Sequence, residues 1–282
     1  MPRSSSGVAL ILVLMITAVL GLLMLQLGLT AKDHTKRAQR LLDRATADLQ
    51  LRSVQSALLF EMATRPWEKS SDVDDSTFPG EPWNFGGRSF KFLETNVSIQ
   101  DMAGLIPFPQ PGESAGRLAQ MLRAVGIPEE EARRAAVNIG VLQAPPLSMP
   151  LQDPYELSVV GGLSRAQVRR VAQVGTLYPT RSFNPGTATP AALAALYSGS
   201  TRDGLSDLRA RGELDRAAYR AILGDAADEM AFFYPGPGFR ISTRVSFGVA
   251  VAEEDLTVTI DPYSPMPVSV WSRRRPESLL AD

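Results

Sequence analysis

The densest group of side chains able to bind a cation or move a proton is Asp72, Asp74 and Asp75, three carboxylates within one short polar stretch. Calcium takes about six to eight oxygen ligands, and this run lacks both the spaced ligands and the closing glutamate of an EF-hand. A solvated loop accounts for it better, so the three are weak calcium candidates and no cofactor is expected. The chain has one histidine, His34, beside an apolar segment, so any triad, histidine base or histidine zinc site would have to be built on that residue. Cysteine is absent, which excludes disulfides, thiolate metal sites and cysteine nucleophiles. No paired metal ligand or phosphate loop occurs, and the acids are scattered over helices and turns. These residues do not make an enzyme.

With 29 basic and 30 acidic residues the formal charge is -1, against the basic excess of a duplex-binding domain. At 282 residues the chain can bury a core without staples.

The strongest positional signal is N-terminal. Val8 to Ala31 carries no charge before Lys32. As helix it spans about 36 Å, enough to cross a bilayer core of about 30 Å. A secretory signal has a shorter apolar run followed by a polar mature start. Here Lys32 to Phe60 continues without proline or glycine, with Leu41, Leu42, Ala45, Leu49, Leu51, Val54, Leu58 and Leu59 near helical spacing. One helix from Val8 to Thr64, stopped by Pro66, is expected. Charges do not set its orientation, because Arg3 and the amino terminus compete with Lys32, Lys36 and Arg37. The leader MPRSSSG places a basic residue just ahead of Gly7 at the edge of the apolar run. That layout resembles a prepilin leader, which implies cleavage between Gly7 and Val8. Pilin-like proteins usually carry glutamate at the fifth mature position, where this chain has Leu12.

Beyond a polar stretch, Ser89–Ile99 reads as a strand, rich in β-branched and aromatic residues. Helical spacing then predicts Ser114–Val125, Glu129–Ile139, Pro154–Val159, Arg165–Val174, Pro190–Ala195, Gly204–Arg211 and Asp215–Leu223. Arg240–Ala252 and Leu256–Ile260 alternate like antiparallel strands with a turn at Glu253, Glu254 and Asp255, and Pro267–Ser272 follows. Strands on either side of the helical block are too few to stand alone and should pair with each other. The expected class is α+β: a pilin-like long N-terminal helix packed on a small antiparallel sheet, with a large all-helical insertion resembling SAM or helix-hairpin-helix folds. The expected organisation is leader 1–7, transmembrane half 8–31, exposed half with first strands 32–107, helical insertion 108–235, and final strands and tail 236–282.

Three phrases carry a more specific resemblance. Asp101-Met102-Ala103-Gly104-Leu105-Ile106 resembles an "Asp, any, Gly, Leu, Ile, Asn" phrase with one residue more between Asp and Gly, and departs from it at Pro107. Tyr155-Glu156-Leu157-Ser158-Val159-Val160-Gly161 matches a "Glu-Leu-any-any-Val-any-Gly" phrase. Phe183-Asn184-Pro185-Gly186-Thr187-Ala188-Thr189-Pro190 keeps the asparagine, threonine and alanine of a third, with Gly186 replacing a second asparagine. In this order behind this N-terminus, the chain resembles the K-type minor pseudopilins of type II secretion systems, the members that lack the fifth-position glutamate. The resemblance implies a non-enzymatic protein at the tip of the pseudopilus, supporting its assembly and protein export across the outer membrane. It implies a single-pass inner-membrane protein with a periplasmic domain, cut and methylated by prepilin peptidase. The implied partners are I- and J-type minor pseudopilins, other pseudopilins and the inner-membrane assembly platform. Calcium in that family is held by carboxylates after the second helix of the block, where Val137 to Ala144 here has none. By themselves, Asn184, Thr187 and Thr189 read as a turn and cap launching the Pro190 helix.

Val159-Val160-Gly161-Gly162-Leu163 with Arg165, Arg169 and Arg170 also resembles a helix-hairpin-helix. The alternatives are therefore a membrane-anchored DNA-binding or uptake protein, and a minor pilin of a type IV pilus. Glu156 and the acidic stretch Asp225 to Glu229 offset the arginines, so nucleic acid is not the expected partner.

Overall fold

The computed structural model describes residues 5–65, 83–108, 115–147, 149, 151, 153–178, 180, 182–227, 231–261 and 263–275. The chain forms two compact units, Met1–Ser53 with Val245–Ala252, and Val54–Arg244 with Glu253–Asp282.

The first helix, α1, runs Ser5–Thr64, three residues earlier than expected at its start and ending where the sequence predicts. Pro66, Asp72, Asp74 and Asp75 lie outside the described residues. In the smaller unit, Ala47 and Leu51 of α1 bury against Val245 and Ala252. A spacing of four residues keeps the two helix positions on one face.

In the larger unit, β1 (Gly86–Phe92) and β2 (Thr95–Asp101) form a hairpin, with Phe92 opposite Thr95. The sequence predicts a single strand here. The two residues between the strands, Leu93 and Glu94, both have positive φ (46° and 60°), a left-handed turn made without the glycine or asparagine that usually announces it. β2 pairs with β5 (Gly238–Phe247), Ile99 facing Ile241, so the strands flanking the helical block do join, across a long stretch of sequence. β6 (Ala250–Ile260) and β7 (Val268–Arg274) complete a five-stranded sheet in the order β1-β2-β5-β6-β7. Val54, Leu58 and Met62 cluster with Phe90, Val97, Ile99, Phe239, Ile241 and Leu256, closing the core between the sheet and the last turns of α1.

The turn before β6 lies at Gly248 and Val249, not at Glu253, Glu254 and Asp255 as the sequence predicts. Those acids are inside β6, where alternate residues from Ala252 to Ile260 are buried. Glu254 takes one of the buried places, its carboxylate 3.4 Å from the Arg273 guanidinium and 3.6 Å from that of Arg275. A charged residue on a buried face needs such partners.

Between β2 and β5 stand β3 (Ile106–Pro107), α2 (Ala115–Ala124), α3 (Glu129–Gln143), α4 (Glu156–Val159), α5 (Arg165–Val174), β4 (Gly175–Thr176), α6 (Pro190–Leu196), α7 (Gly199–Arg211) and α8 (Arg216–Leu223). All seven helices were expected, with ends differing by a few residues. Their starts are marked by local chemistry. Ser164 and Gln167 form a reciprocal capping box for α5, Thr189 caps α6 with Pro190 in its first turn, and Asp215 caps α8. Leu122, Ile139, Leu157, Val168, Val171 and Leu193 are fully buried at the centre of this block, while β3 and β4 pair in parallel at its edge.

Candidate functional site

Two features stand out: the exposed N-terminal half of α1, and a buried polar junction that ties the helical block to the sheet.

Every residue from Ile11 to Leu42 is exposed. Leu12 shows 57% of its surface and Met24 75%. An apolar helix of this length with none of its most apolar stretch buried is long enough to cross a membrane by length and composition. So much contiguous apolar surface is unfavourable in water and is consistent with a membrane anchor. Gly7 and Val8 fall within the first turns of this helix. Leu12 sits one turn beyond Val8 among apolar neighbours, so the position where a pilin-like chain usually carries an acid adds to the apolar surface.

The junction is centred on Asp101, the last residue of β2, with no exposed surface. Its Oδ2 accepts from Thr187 Oγ1 at 2.7 Å and from Asn184 Nδ2 at 3.1 Å. Its Oδ1 accepts from the Ala103 backbone N–H at 2.9 Å. Burial pushes the carboxyl above its ordinary range. Hydrogen bonds from Thr187, the Ala103 and Gly236 backbones and Asn184 work in the opposite direction. Asn184 also donates to the Tyr234 carbonyl at 2.8 Å, and its own N–H donates to Ala103 O at 2.7 Å. Gln100 Nε2 donates to the carbonyls of Asp101 (2.7 Å) and Thr187 (2.9 Å). Three stretches far apart in sequence, at 100–104, 184–187 and 234–236, are thus held by one buried carboxylate.

The first and third of the three phrases therefore meet. Gly104 shows why that position is glycine: a Cβ there would stand 2.5 Å from the Thr187 carbonyl oxygen. The turn read at Asn184 and Thr187 is present, the Gly186 N–H donating to Asn184 Oδ1 at 3.0 Å and the Thr187 N–H to Asn184 O at 3.3 Å, and the long-range bonds come in addition to it. Thr189 Oγ1 accepts from the Ala192 N–H at 3.0 Å, and Asn184 and Thr187 turn their side-chain donors to Asp101. The second phrase is separate and serves the core: Leu157 is fully buried, and a Cβ on Gly161 would meet the Leu157 carbonyl at 2.6 Å.

A second tie runs through Arg240 of β5. Its guanidinium donates to the Ala172 carbonyl at 2.5 Å and the Gly175 carbonyl at 3.2 Å, capping the end of α5. Burial lowers its pKa, Asp255 raises it and Arg274 lowers it further. Neither Asp101 nor Arg240 stands out in sequence as a long-range partner. The one signal was the match of Asp101 to the first phrase.

The Gly161-Gly162 turn joins α4 to α5, with Gly162 at φ +69°. Arg165, Arg169 and Arg170 are exposed on α5. α4 is only four residues long, however, and its Leu157 is committed to the core. Among the described residues no group of three or more His, Asp or Glu side chains is gathered to hold a metal ion. Of the stretch expected to lack ligands, Ile139 and Gln143 are buried on α3.

No family model matches the chain, and no curated protein sequence does. Among solved structures, a chain of the crystal structure of the GspK–GspI–GspJ complex from the enterotoxigenic Escherichia coli type 2 secretion system is similar. The TM-score is 0.58 at 16% identity, over 86% of this chain and 100% of that one. The chain has a pseudopilin-like fold. At this identity the likeness is one of architecture: a long N-terminal helix, an antiparallel sheet and helices between its strands.

Proposed function

We propose that this chain is a K-type minor pseudopilin, a non-enzymatic subunit at the tip of a type II secretion pseudopilus. The observation that carries the reading is the combination in one fold of an exposed apolar helix and a helical block set between paired strands β2 and β5. A likeness in fold to a chain of the GspK–GspI–GspJ complex, over 86% of this chain, supports the reading.

In this reading Val8–Ala31 holds the chain in the bacterial inner membrane as a single pass, with the rest in the periplasm. Prepilin peptidase cuts between Gly7 and Val8 and methylates the new amino terminus. The apolar helix then leaves lipid to pack among helices of other pseudopilins, I- and J-type minor subunits first. A helix that exchanges lipid for like helices gives up little, because both environments are equally apolar. Leu12 fits a first position, since a tip subunit has nothing above it whose amino terminus a glutamate would pair. The bulky helical block then caps the assembly.

N-terminal sequencing of the membrane-extracted protein tests the route. A start at Val8 is expected; a start near Ala31 would mean a secretory signal, and an intact Met1 a plain anchor. Cross-linking from the globular part to I- and J-type partners tests the place, and contacts along the shaft would refute the tip assignment.

A further inference from the structure

We propose that Lys32, Lys36, Arg37, Arg40 and Arg44 form a surface for anionic phospholipid headgroups, on the side of α1 that carries the β5–β6 hairpin. The inference rests on the reading of Val8–Ala31 as a membrane span, and it holds for either orientation of that span.

Geometry places the five together. At about 100° per residue they fall within an arc of about 140° around the helix. Asp43, Ala47 and Leu51, which meet the hairpin, fall within the same arc further along. The basic face and the hairpin face are thus one face, cations nearest the apolar run and hairpin beyond. Exposed Leu42 and Leu49 point to the opposite side.

Depth selects the partner. Lys32 is the first charge after the apolar run, and Lys36 lies about 7 Å beyond Ala31. The headgroup layer is about 5–8 Å thick, so Lys32 and Lys36 stand within it and Arg37, about 9 Å beyond Ala31, at its outer edge when the run fills the hydrocarbon core. Helical side chains lean toward the N-terminus, which here means toward the membrane. The long stems of Arg40 and Arg44 therefore bring their charges back toward the surface. A helix tilt of about 20° toward this face would bring them closer still.

The charges are also available. All five are exposed, and no ion pair joins any of them to a carboxylate among the described residues. Elsewhere exposed arginines pair with close acids, as Arg123 does with Glu129 and Arg211 with Glu213. On the basic face Asp33 is the one exposed carboxylate. Asp43 is buried, accepting from Gln39 Nε2 at 2.7 Å and from the Val249 N–H at 3.3 Å.

The test is lipid selectivity by electron spin resonance on the full chain reconstituted in phosphatidylcholine vesicles, with trace spin-labelled phosphatidylglycerol or phosphatidylcholine. We expect phosphatidylglycerol to be favoured about threefold in the motionally restricted shell at low salt. The preference should fall toward one near 1 M salt, where the screening length is about 3 Å. Replacing all five cations by Gln should abolish it, and K36Q with R40Q should remove part of it. A wild-type ratio near one, or an unchanged ratio in the fivefold variant, would overturn the proposal and leave the membrane span standing. Release of the wild-type chain from vesicles by alkaline carbonate would instead defeat the span, and this inference with it.

Discussion

Asp101 and Thr187 are 86 positions apart and meet through a 2.7 Å hydrogen bond with no solvent between them. One belongs to the sheet and the other to the loop that launches α6. The junction is where the helical block is fastened to the pilin-like sheet, and it uses a carboxylate that no cation among the described residues neutralises. Four donors share the charge instead, two from side chains and two from backbone. Such a network specifies one docking geometry, because a shifted loop would leave a buried carboxylate under-satisfied.

Thr187→Val removes one of those donors while nearly keeping the shape. A hydrogen bond to a charged group contributes about 1.5–3 kcal/mol, and its loss here also leaves Asp101 short of a donor. The urea midpoint of the detergent-solubilised chain should drop accordingly with its m-value unchanged. A cost within about 0.5 kcal/mol, the usual range of a surface substitution, would mean the junction does not fasten the block.

The pH dependence follows from the direction of the Asp101 shift. Its folded pKa is raised by burial, so the folded state holds the proton more tightly than the unfolded state does. The associated stability is present at low pH and lost as pH rises through the folded value. Relative to Asp101→Asn, which cannot titrate, the wild type should lose stability as pH rises from the ordinary carboxylate range toward neutrality. A difference that stays flat or grows with pH would reverse the sign assigned here.

The legible parts of the chain were the local ones. The Ser164–Gln167 box, the Thr189 cap with Pro190, and the unbroken apolar spacing of α1 each announce an element within a few residues. The strand pairing followed from a count, since neither group of strands was a sheet alone. What the sequence concealed was decided at long range or by an unusual backbone. The β1–β2 turn lies on Leu93 and Glu94, and nothing local marks two ordinary residues that will adopt left-handed φ. Glu253, Glu254 and Asp255 suggested a turn because three acids in a row resemble a loop. Arg273 on the next strand and Arg275 just past its end are what let Glu254 be buried. Gly7, Val8 and Leu12 are singled out by position alone, at the edge of and within the apolar run. The partnership of Asp101 with Thr187 was not legible, because matching phrases do not say that they touch.

The Leu93-Glu94 turn offers a gain of stability. Both residues occupy a region that costs an ordinary side chain about 1 kcal/mol, and the two-residue turn type prefers Asn-Gly. Leu93→Asn with Glu94→Gly should raise stability by about 1 kcal/mol and leave the Phe92–Thr95 pairing intact. Leu93 is also half exposed, so little buried apolar surface is given up. A decrease in the thermal midpoint would show that Leu93 makes a contact that outweighs the strain.

Gly162 and Gly248 separate backbone strain from crowding. Both have positive φ, 69° and 56°, so alanine is strained at either. A Cβ at Gly162 would meet nothing within 4 Å, whereas one at Gly248 would stand 2.4 Å from Asp43 Oδ2. Gly162→Ala should therefore cost about 1 kcal/mol. Gly248→Ala should cost more, about 2–3 kcal/mol, because the Asp43 carboxylate is buried and also holds the Val249 N–H. Asp43→Ala removes the obstacle, so in that background Gly248→Ala should fall back to the cost of strain alone. The double-mutant cycle should show a coupling of about 1–2 kcal/mol, and amide exchange at Val249 should quicken in Asp43→Ala by itself. Equal costs at the two glycines, or strict additivity with Asp43→Ala, would mean that the hairpin tip is not seated on Asp43.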